Sequence, residues 1–270
     1  MTDTTLIPLS DIQTETCELV LKLGLKDFHS ALISQYELPG AYDNQIFEAR
    51  LKELLISQIE GNQVQRFNKL RYAAKFADCL PLNKITIDSA RGVTERLITS
   101  INSLNWYRSK ETLMITGSTG TGKTALLCAI GLHLCRHGIP VRYFRTRDFL
   151  ESYKNRTSAG QIRYRDSLKK FRALIFDDFG VSPFNNADMD ILFEILTTYY
   201  GKTVFLIGTQ IDEGGVIAGM ENIAAGATAD AVIDRLSKPM RSIKLIGESL
   251  RGRTCHNMEL KEEELEEMKL

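Results

Sequence analysis

Apolar positions recur along this chain at two different periods, and the change from one to the other divides it. Within residues 14–37, Leu19, Val20 and Leu23 form one apolar face, and Leu25, Phe28 and Leu32 resume it at i, i+3, i+7. This spacing predicts two short helices with Gly24 closing the first. A longer helix is predicted from about Asp43, a cap residue, towards Phe76. Phe47, Leu51, Leu54, Leu55 and Ile59 lie on one side of it, and Gly61 is a point where it can break. The result is an all-α N-terminal domain over residues 1–80, small enough to need a partner or the rest of the chain to cover it.

Pro81 and the mixed run 82–92 mark the boundary. Beyond it a helix over 94–104 leads into an apolar strand at 113–116. Strand and helix then alternate: strand 141–145, helices 146–154 and 161–170, strand 173–177, helix 187–200, strand 203–208, helix 229–236 and strand 242–246. Strands alternating with helices predict an α/β domain over 81–258 with a parallel sheet covered on both faces. Residues 259–270 read as an acidic tail, either a solvated helix or disordered.

With 270 residues, 43% of them apolar and 25% charged, the chain has a globular composition, and no apolar run can span a bilayer. The first residues, Met1-Thr2-Asp3-Thr4-Thr5, lack a basic start and an apolar core, which points to the cytoplasm. Five scattered cysteines without a Cys-x-x-Cys pair read as reduced thiols. Net charge is zero, but its distribution is uneven. Residues 145–172 hold nine Lys/Arg against three Asp/Glu, whereas the last twelve residues hold six Glu against two Lys. A polyanion is therefore to be sought on the first of these segments.

The most specific chemistry lies at Gly117-Ser118-Thr119-Gly120-Thr121-Gly122-Lys123-Thr124-Ala125. An apolar strand precedes it and an apolar helix follows it, which is the setting of a phosphate-binding loop. Its glycines let successive N–H groups turn inward on phosphate, and the helix N-terminus adds positive potential. Lys123 would reach the β and γ phosphates of ATP, and the Thr124 hydroxyl would coordinate Mg²⁺. A plain Gly/Ser/Thr turn has no need of a lysine followed by a hydroxyl at the mouth of an apolar helix.

About fifty residues on, the run Ala173-Leu174-Ile175-Phe176 ends in Asp177 and Asp178. Such a strand end faces the ligand crevice of an α/β sheet. Asp177 would hold Mg²⁺ and Asp178 would orient the attacking water. The strand ending at Thr209-Gln210 places one or other of these polar groups near the γ-phosphate or the water. Arg235 and Arg251 lie at offsets that suit one arginine reaching a neighbouring subunit's phosphate and one its own. His133 and His137 lie four apart on the helix after the phosphate loop, with nothing placed to complete a metal set, and read as packing or helix-end residues.

The segments 117–124, Leu174-Ile-Phe-Asp-Asp-Phe-Gly180, Ile233-Asp-Arg-Leu236 and Gly247-Glu-Ser-Leu-Arg251 resemble the AAA+ ATPases of the IstB/DnaC group. Residues 23–32 and 71–76 are similar to the N-terminal helices of IstB, the transposition helper of insertion sequences. The resemblance covers about residues 15–253. It implies a five-stranded AAA+ sheet without a large lid domain, Arg235 as the arginine finger acting on the adjacent protomer's ATP, and Arg251 as second sensor. Asp178 stands where most AAA+ members have glutamate, and a carboxylate one methylene shorter predicts slow hydrolysis until DNA or a partner tightens the site; Gln210 stands where asparagine is usual, a departure at the sensor position.

The same resemblance implies an ATP-dependent homo-oligomer that binds double-stranded DNA and recruits a cognate, IstA-like transposase. Lys154, Arg156, Arg163, Arg165, Lys169 and Lys170, interleaved with Tyr153 and Tyr164, are the basic residues suited to phosphate contact. A DnaC-like helicase loader gripping its helicase by the N-terminal helices is the second reading. A small-molecule kinase is the third, and it lacks an acceptor-binding segment.

Overall fold

In a computed structural model, residues 9–221, 227–237 and 239–250 are described. Arg251, Cys255 and the acidic tail lie outside them. The described chain separates into two compact units, one ending at Asn68 and one beginning at Lys69.

The first unit is helical. α1 (Asp11–Lys22) opens on a capping box in which the Ser10 hydroxyl accepts from Gln13 N and the Gln13 side chain accepts from Ser10 N. It closes where Gly24 takes φ +76, with Gly24 N donating to Leu21 O and Leu25 N to Val20 O, the paired bonds of a Schellman ending. α2 (Lys26–Glu37) follows, then the single turn α3 (Pro39–Tyr42) and the long α4 (Phe47–Ala74). Cys17, Val20, Leu32 and Leu54 form the small core, joined by Leu25, Phe28 and Tyr36.

Three expectations for α4 are corrected. It starts at Phe47, because Asp43 ends α3 instead of capping α4. Its buried line runs through Leu54 and Gln58, while Phe47, Leu55 and Ile59 remain exposed. Gln58 belongs inside because its carbonyl accepts from Phe28 N, an unpaired donor in the first turn of α2, where Leu25 offers no side-chain cap. Gly61 does not break the helix. It makes room for Asp27, whose carboxyl carbon lies 2.1 Å from where a Cβ on residue 61 would stand.

In the second unit α5 (Glu95–Asn102), capped by the Thr94 hydroxyl, and α6 (Asn105–Arg108) lead into β1 (Thr112–Thr116). Then come α7 (Lys123–Arg136), β2 (Val141–Arg145), α8 (Thr146–Lys154), α9 (Ser158–Leu168), β3 (Ala173–Asp177) and α10 (Asn186–Tyr199). β4 (Val204–Thr209), α11 (Glu213–Glu221), α12 (Ala227–Ser237) and β5 (Met240–Lys244) complete it. The five strands pair in parallel in the order β2-β3-β4-β1-β5. β1, β3 and β4 are buried throughout, as strands covered on both faces must be. Met114, Leu174, Phe176, Phe205 and Ile207 face a core shared with Met189, Leu192 and Leu196 of α10.

α7 is buried along most of its length, and Gly131 in its middle admits the Phe76 ring and Ile175 to the backbone. The end of α4 from Lys69 belongs to this unit, and there Arg142 of β2 caps its last turn, the guanidinium donating to Ala73 O at 2.7 Å. Edge strand β5 carries the exposed Arg241, Ser242 and Lys244, with Arg241 bonded to Glu111 at 2.9 Å and to Ser100 at 2.6 Å. α11 is the one helix of this unit longer than a turn that its sequence conceals, because Gly214, Gly215 and Gly219 read as loop. Asp212 caps it through Gly215 N, and a Cβ on Gly215 would meet Ile211 at 2.5 Å.

Gly61 generates a prediction. Replacing glycine by alanine inside a helix ordinarily stabilises by about 1 kcal/mol. Here Gly61→Ala alone should lower the melting temperature, because the new methyl displaces Asp27. In an Asp27→Ala background the same change should raise it, as thermal unfolding of the four proteins will show.

Candidate functional site

The loop between β1 and α7 turns through three glycines, Gly117, Gly120 and Gly122, at φ +157, +83 and +99. The last two are values that favour glycine. It delivers the Lys123 ammonium inward: the residue is only 6% exposed, and Nζ donates to Gly117 O at 2.8 Å and Ser118 O at 2.9 Å. Thr121 Oγ1 donates to Ser118 O at 2.8 Å and tightens the turn. Ser118, Thr119, Gly120 and Ala125 complete the loop and the helix start predicted to cradle phosphate.

Asp177, at the end of β3, is the centre of the site. Its carboxylate is 1% exposed, and a buried carboxylate must be hydrogen-bonded. Oδ2 accepts from Thr124 Oγ1 at 2.6 Å and from Tyr143 OH at 3.0 Å, while Oδ1 accepts from Asp178 N at 3.0 Å. The residue's backbone oxygen accepts from Thr146 Oγ1 at 2.7 Å. The Tyr143 phenol is pushed well above its usual range by burial and by the Asp177 carboxylate, so it stays a donor. Hydroxyl and carboxylate oxygens converging between the phosphate loop and β3 are hard donors suited to Mg²⁺, and Thr124 with Asp177 could hold it.

Gly208 makes this arrangement possible. A Cβ there would fall 2.5 Å from Asp177 Oδ1 and 2.5 Å from Leu127. Tyr143, Thr146 and Gly208 were not among the predicted site residues. The sequence carried a weak signal for each: a tyrosine within the strand beside β3, a hydroxyl where the next helix opens, and a glycine inside an apolar strand.

Asp178 sits in the left-handed region at φ +54, exposed. It lines an open cleft with Thr146, Arg147, Gly180 and Phe184. Of the two sensor candidates, Gln210 reaches the loop: its Oε1 accepts from Thr119 Oγ1 at 2.9 Å. Thr209 is fully buried, and its hydroxyl accepts from Ile211 N, which ends β4. Arg235, on α12, donates to Ala231 O in its own helix and lies over the Phe193 ring at 5.3 Å. These contacts belong to the α10–α12 side of the unit and not to the phosphate loop.

The basic segment is less free than its composition suggests. Lys154 pairs with buried Asp188 at 2.6 Å, Arg165 with Glu194, and Lys169 with Asp166 at 2.6 Å. Arg156 stacks on Tyr164 at 4.1 Å and Lys170 lies over Phe171. Arg163 is exposed. Tyr153 is buried, donating its phenol to Glu194 at 2.6 Å, so it packs instead of presenting a face to bases. His133 and His137 meet edge to face at 4.7 Å, and burial lowers the His133 pKa, which favours the neutral ring. Cys128 and Cys135 are buried thiols pushed up to about 12 by desolvation, too weakly acidic to react as thiolates at neutral pH. Among the described residues no helix is long and apolar enough to cross a membrane.

Comparison with known proteins places this site in a family. The model of the family described as IstB-like ATP binding protein matches residues 19–258. The chain is 33% identical over 205 residues to a Pseudomonas fluorescens protein named for ATP binding in insertion sequence IS1162, covering 73% of this chain and 86% of the relative. It is 34% identical over 187 residues to the insertion sequence protein y4pL of Sinorhizobium fredii, also named for ATP binding, covering 69% and 73%. Among solved structures, replication initiator DnaA bound to AMPPCP and single-stranded DNA superposes with a TM-score of 0.51 at 19% identity, covering 62% of this chain and 50% of that one. DnaI superposes at 0.50 and 17%, covering 66% and 92%. These two likenesses concern the fold, and they agree with the parallel sheet described above. The family match spans both the helical unit and the phosphate-loop unit, and on that ground the chain belongs to the IstB-like ATP-binding proteins, the AAA+ helpers of transposition.

Proposed function

We propose that this protein is an ATP-hydrolysing, oligomerising, DNA-binding helper of an insertion-sequence transposase. The observation that carries the reading is the Thr124–Asp177 contact beside a buried Lys123, in a chain whose family match runs over residues 19–258. Lys123 is placed to exchange its two loop carbonyls for β and γ phosphate oxygens. Thr124 and Asp177 are the ligands for Mg²⁺, which would supply charge neutralisation of the phosphates. Asp178 orients the attacking water, and Gln210, tied to the loop through Thr119, reports on the γ-phosphate.

Arg235 acts in trans. Its contacts with Ala231 and Phe193 lie within α12 and α10, so the phosphate it serves is that of an adjoining copy, and Arg251 serves its own. ATP at such a shared site favours assembly and hydrolysis releases it. Of the six basic candidates, Arg163 is the exposed cation not engaged with a neighbouring carboxylate or ring, and it is the first DNA phosphate contact to test. The cognate transposase is the expected protein partner and the cytoplasm the expected compartment. A helicase-loader role draws on the fold shared with DnaI; capture of a replicative helicase instead of a transposase by the full-length protein would favour it.

Three outcomes follow from this reading. Lys123→Ala and Arg235→Ala should each lose ATP turnover, and mixing them should restore a fraction of it, since some interfaces then pair an intact Lys123 with an intact Arg235. Turnover that stays absent on mixing argues against the shared site. Gly208→Ala should raise the Mg²⁺ concentration needed for half-maximal ATP binding by tenfold or more, read by calorimetry, because its methyl displaces the Asp177 carboxylate. Arg163→Ala should weaken duplex binding uniformly across sequences and reduce the slope of log K against log salt by about 1.

A further inference from the structure

The stretch that follows β5 crosses the phosphate loop. Leu245 N donates to Thr116 O at 2.7 Å, extending the β1–β5 ladder by one residue, and Leu250 N donates to Gly120 O at 2.8 Å. Between them the chain passes so close that Gly117 and Gly120 cannot carry side chains: a Cβ on the first would lie 2.6 Å from Leu245 O, on the second 2.0 Å from Ser249 Oγ. The carbonyl of Gly120 is thus engaged from outside the loop.

Little in this strap fixes its own position. Leu245 is buried, but residues 246–250 are all exposed. The anchor comes from the other end of the unit, the turn before α5. Asp88 and Val93 form a bridge, and between them Arg91 O accepts from Ile246 N at 3.0 Å while Arg91 Nη2 donates to Glu248 O at 2.9 Å. Two glycines fit this clasp. Gly92, at φ +87, lets the turn approach Lys244 O, which would lie 2.1 Å from a Cβ. Gly247, at φ +112, leaves space for the guanidinium, with Arg91 Nη1 3.1 Å from where its Cβ would stand.

We propose that Arg91 is a positioning residue of the nucleotide site, clasping residues 246–250 onto the phosphate loop so that the loop holds the shape that binds nucleotide phosphate. The proposal deepens the ATP-binding reading and rests on it. A guanidinium donating to a carbonyl is a charge-assisted bond, stronger than a neutral one, and here it joins residues 157 positions apart. Without it Glu248 O loses its charged donor and the middle of the strap loosens between the main-chain bonds at Ile246 and Leu250, so the loop samples other conformations that do not bind, lowering the apparent affinity by their share of the population.

The test uses the full-length protein in two arms. Hydrogen exchange without nucleotide reads the clasp: Arg91→Ala should speed exchange in peptides covering 246–250 and 117–122 and leave the α7 and α10 peptides unchanged. Calorimetric titration with Mg-ATP reads the consequence: Arg91→Ala and Gly247→Ala should each weaken binding by about tenfold, Arg91→Lys should recover part of the loss, and the double variant should be no weaker than the worse single one. Unchanged exchange over 246–250 overturns the clasp. So does ATP binding by Arg91→Ala as tight as wild type or tighter, or fully additive losses in the double variant. If Arg91→Ala fails to fold, Arg91→Lys and Gly247→Ala carry the same comparison. Wild-type protein that binds no ATP sinks the nucleotide reading itself, while the exchange arm still judges the clasp.

Discussion

The site is built around one buried carboxylate. Asp177 carries a negative charge into a place that excludes water, and leaving such a group without donors costs several kcal/mol. Three donors meet that demand, Thr124 where the phosphate loop enters α7, Tyr143 of β2 and the Asp178 amide, while Thr146 at the start of α8 holds the residue's backbone oxygen. The carboxylate is therefore satisfied only when β2 and β3 are in register and α7 is docked. The proposed metal ligand and correct folding thus make the same demand on the chain, and a change that spoils one is felt by the other.

The sheet supplies the rest of the preorganisation. β1 lies between β4 and β5, so the loop that follows it emerges with β4's exit on one side and β5's on the other. From the β4 side comes Gln210 and from the β5 side the strap held by Arg91. Glycines at 117 and 120 are the points where the strap comes nearest, and backbone proximity there does what a side chain could not. The rigidity of the loop is thus a property of its surroundings as much as of its own turn geometry.

Much of this could be read from residue order, and the reason is physical. Phosphate geometry fixes the spacing of Gly117, Gly122, Lys123 and Thr124, and burial on both faces makes β3 an apolar run with its acids at the end. Strands β2 and β3 and helix α8 accordingly fall on the residues their patterns mark. What escaped depends on distant partners. Nothing local to Tyr143 or Gly208 says that Asp177 will arrive, and nothing near Arg91 announces Glu248. The α4 stripe misled because Phe47, Leu55 and Ile59 share its apolar character while packing selects Leu54 and Gln58. The basic run misled in the same way: counting charges over 145–172 overlooks Asp188 and Glu194, which α10 brings across to engage Lys154 and Arg165.

Edge strand β5 has a consequence for how copies of this chain can meet. An open strand invites another to add to it, and charged side chains along the rim discourage that. Here Arg241 and Lys244 line the rim, and Arg241 is tethered sideways to Glu111 and Ser100. Extending the sheet from one molecule into the next would set two such cationic rims against each other. Stacking by continuous β-structure through β5 is thereby disfavoured.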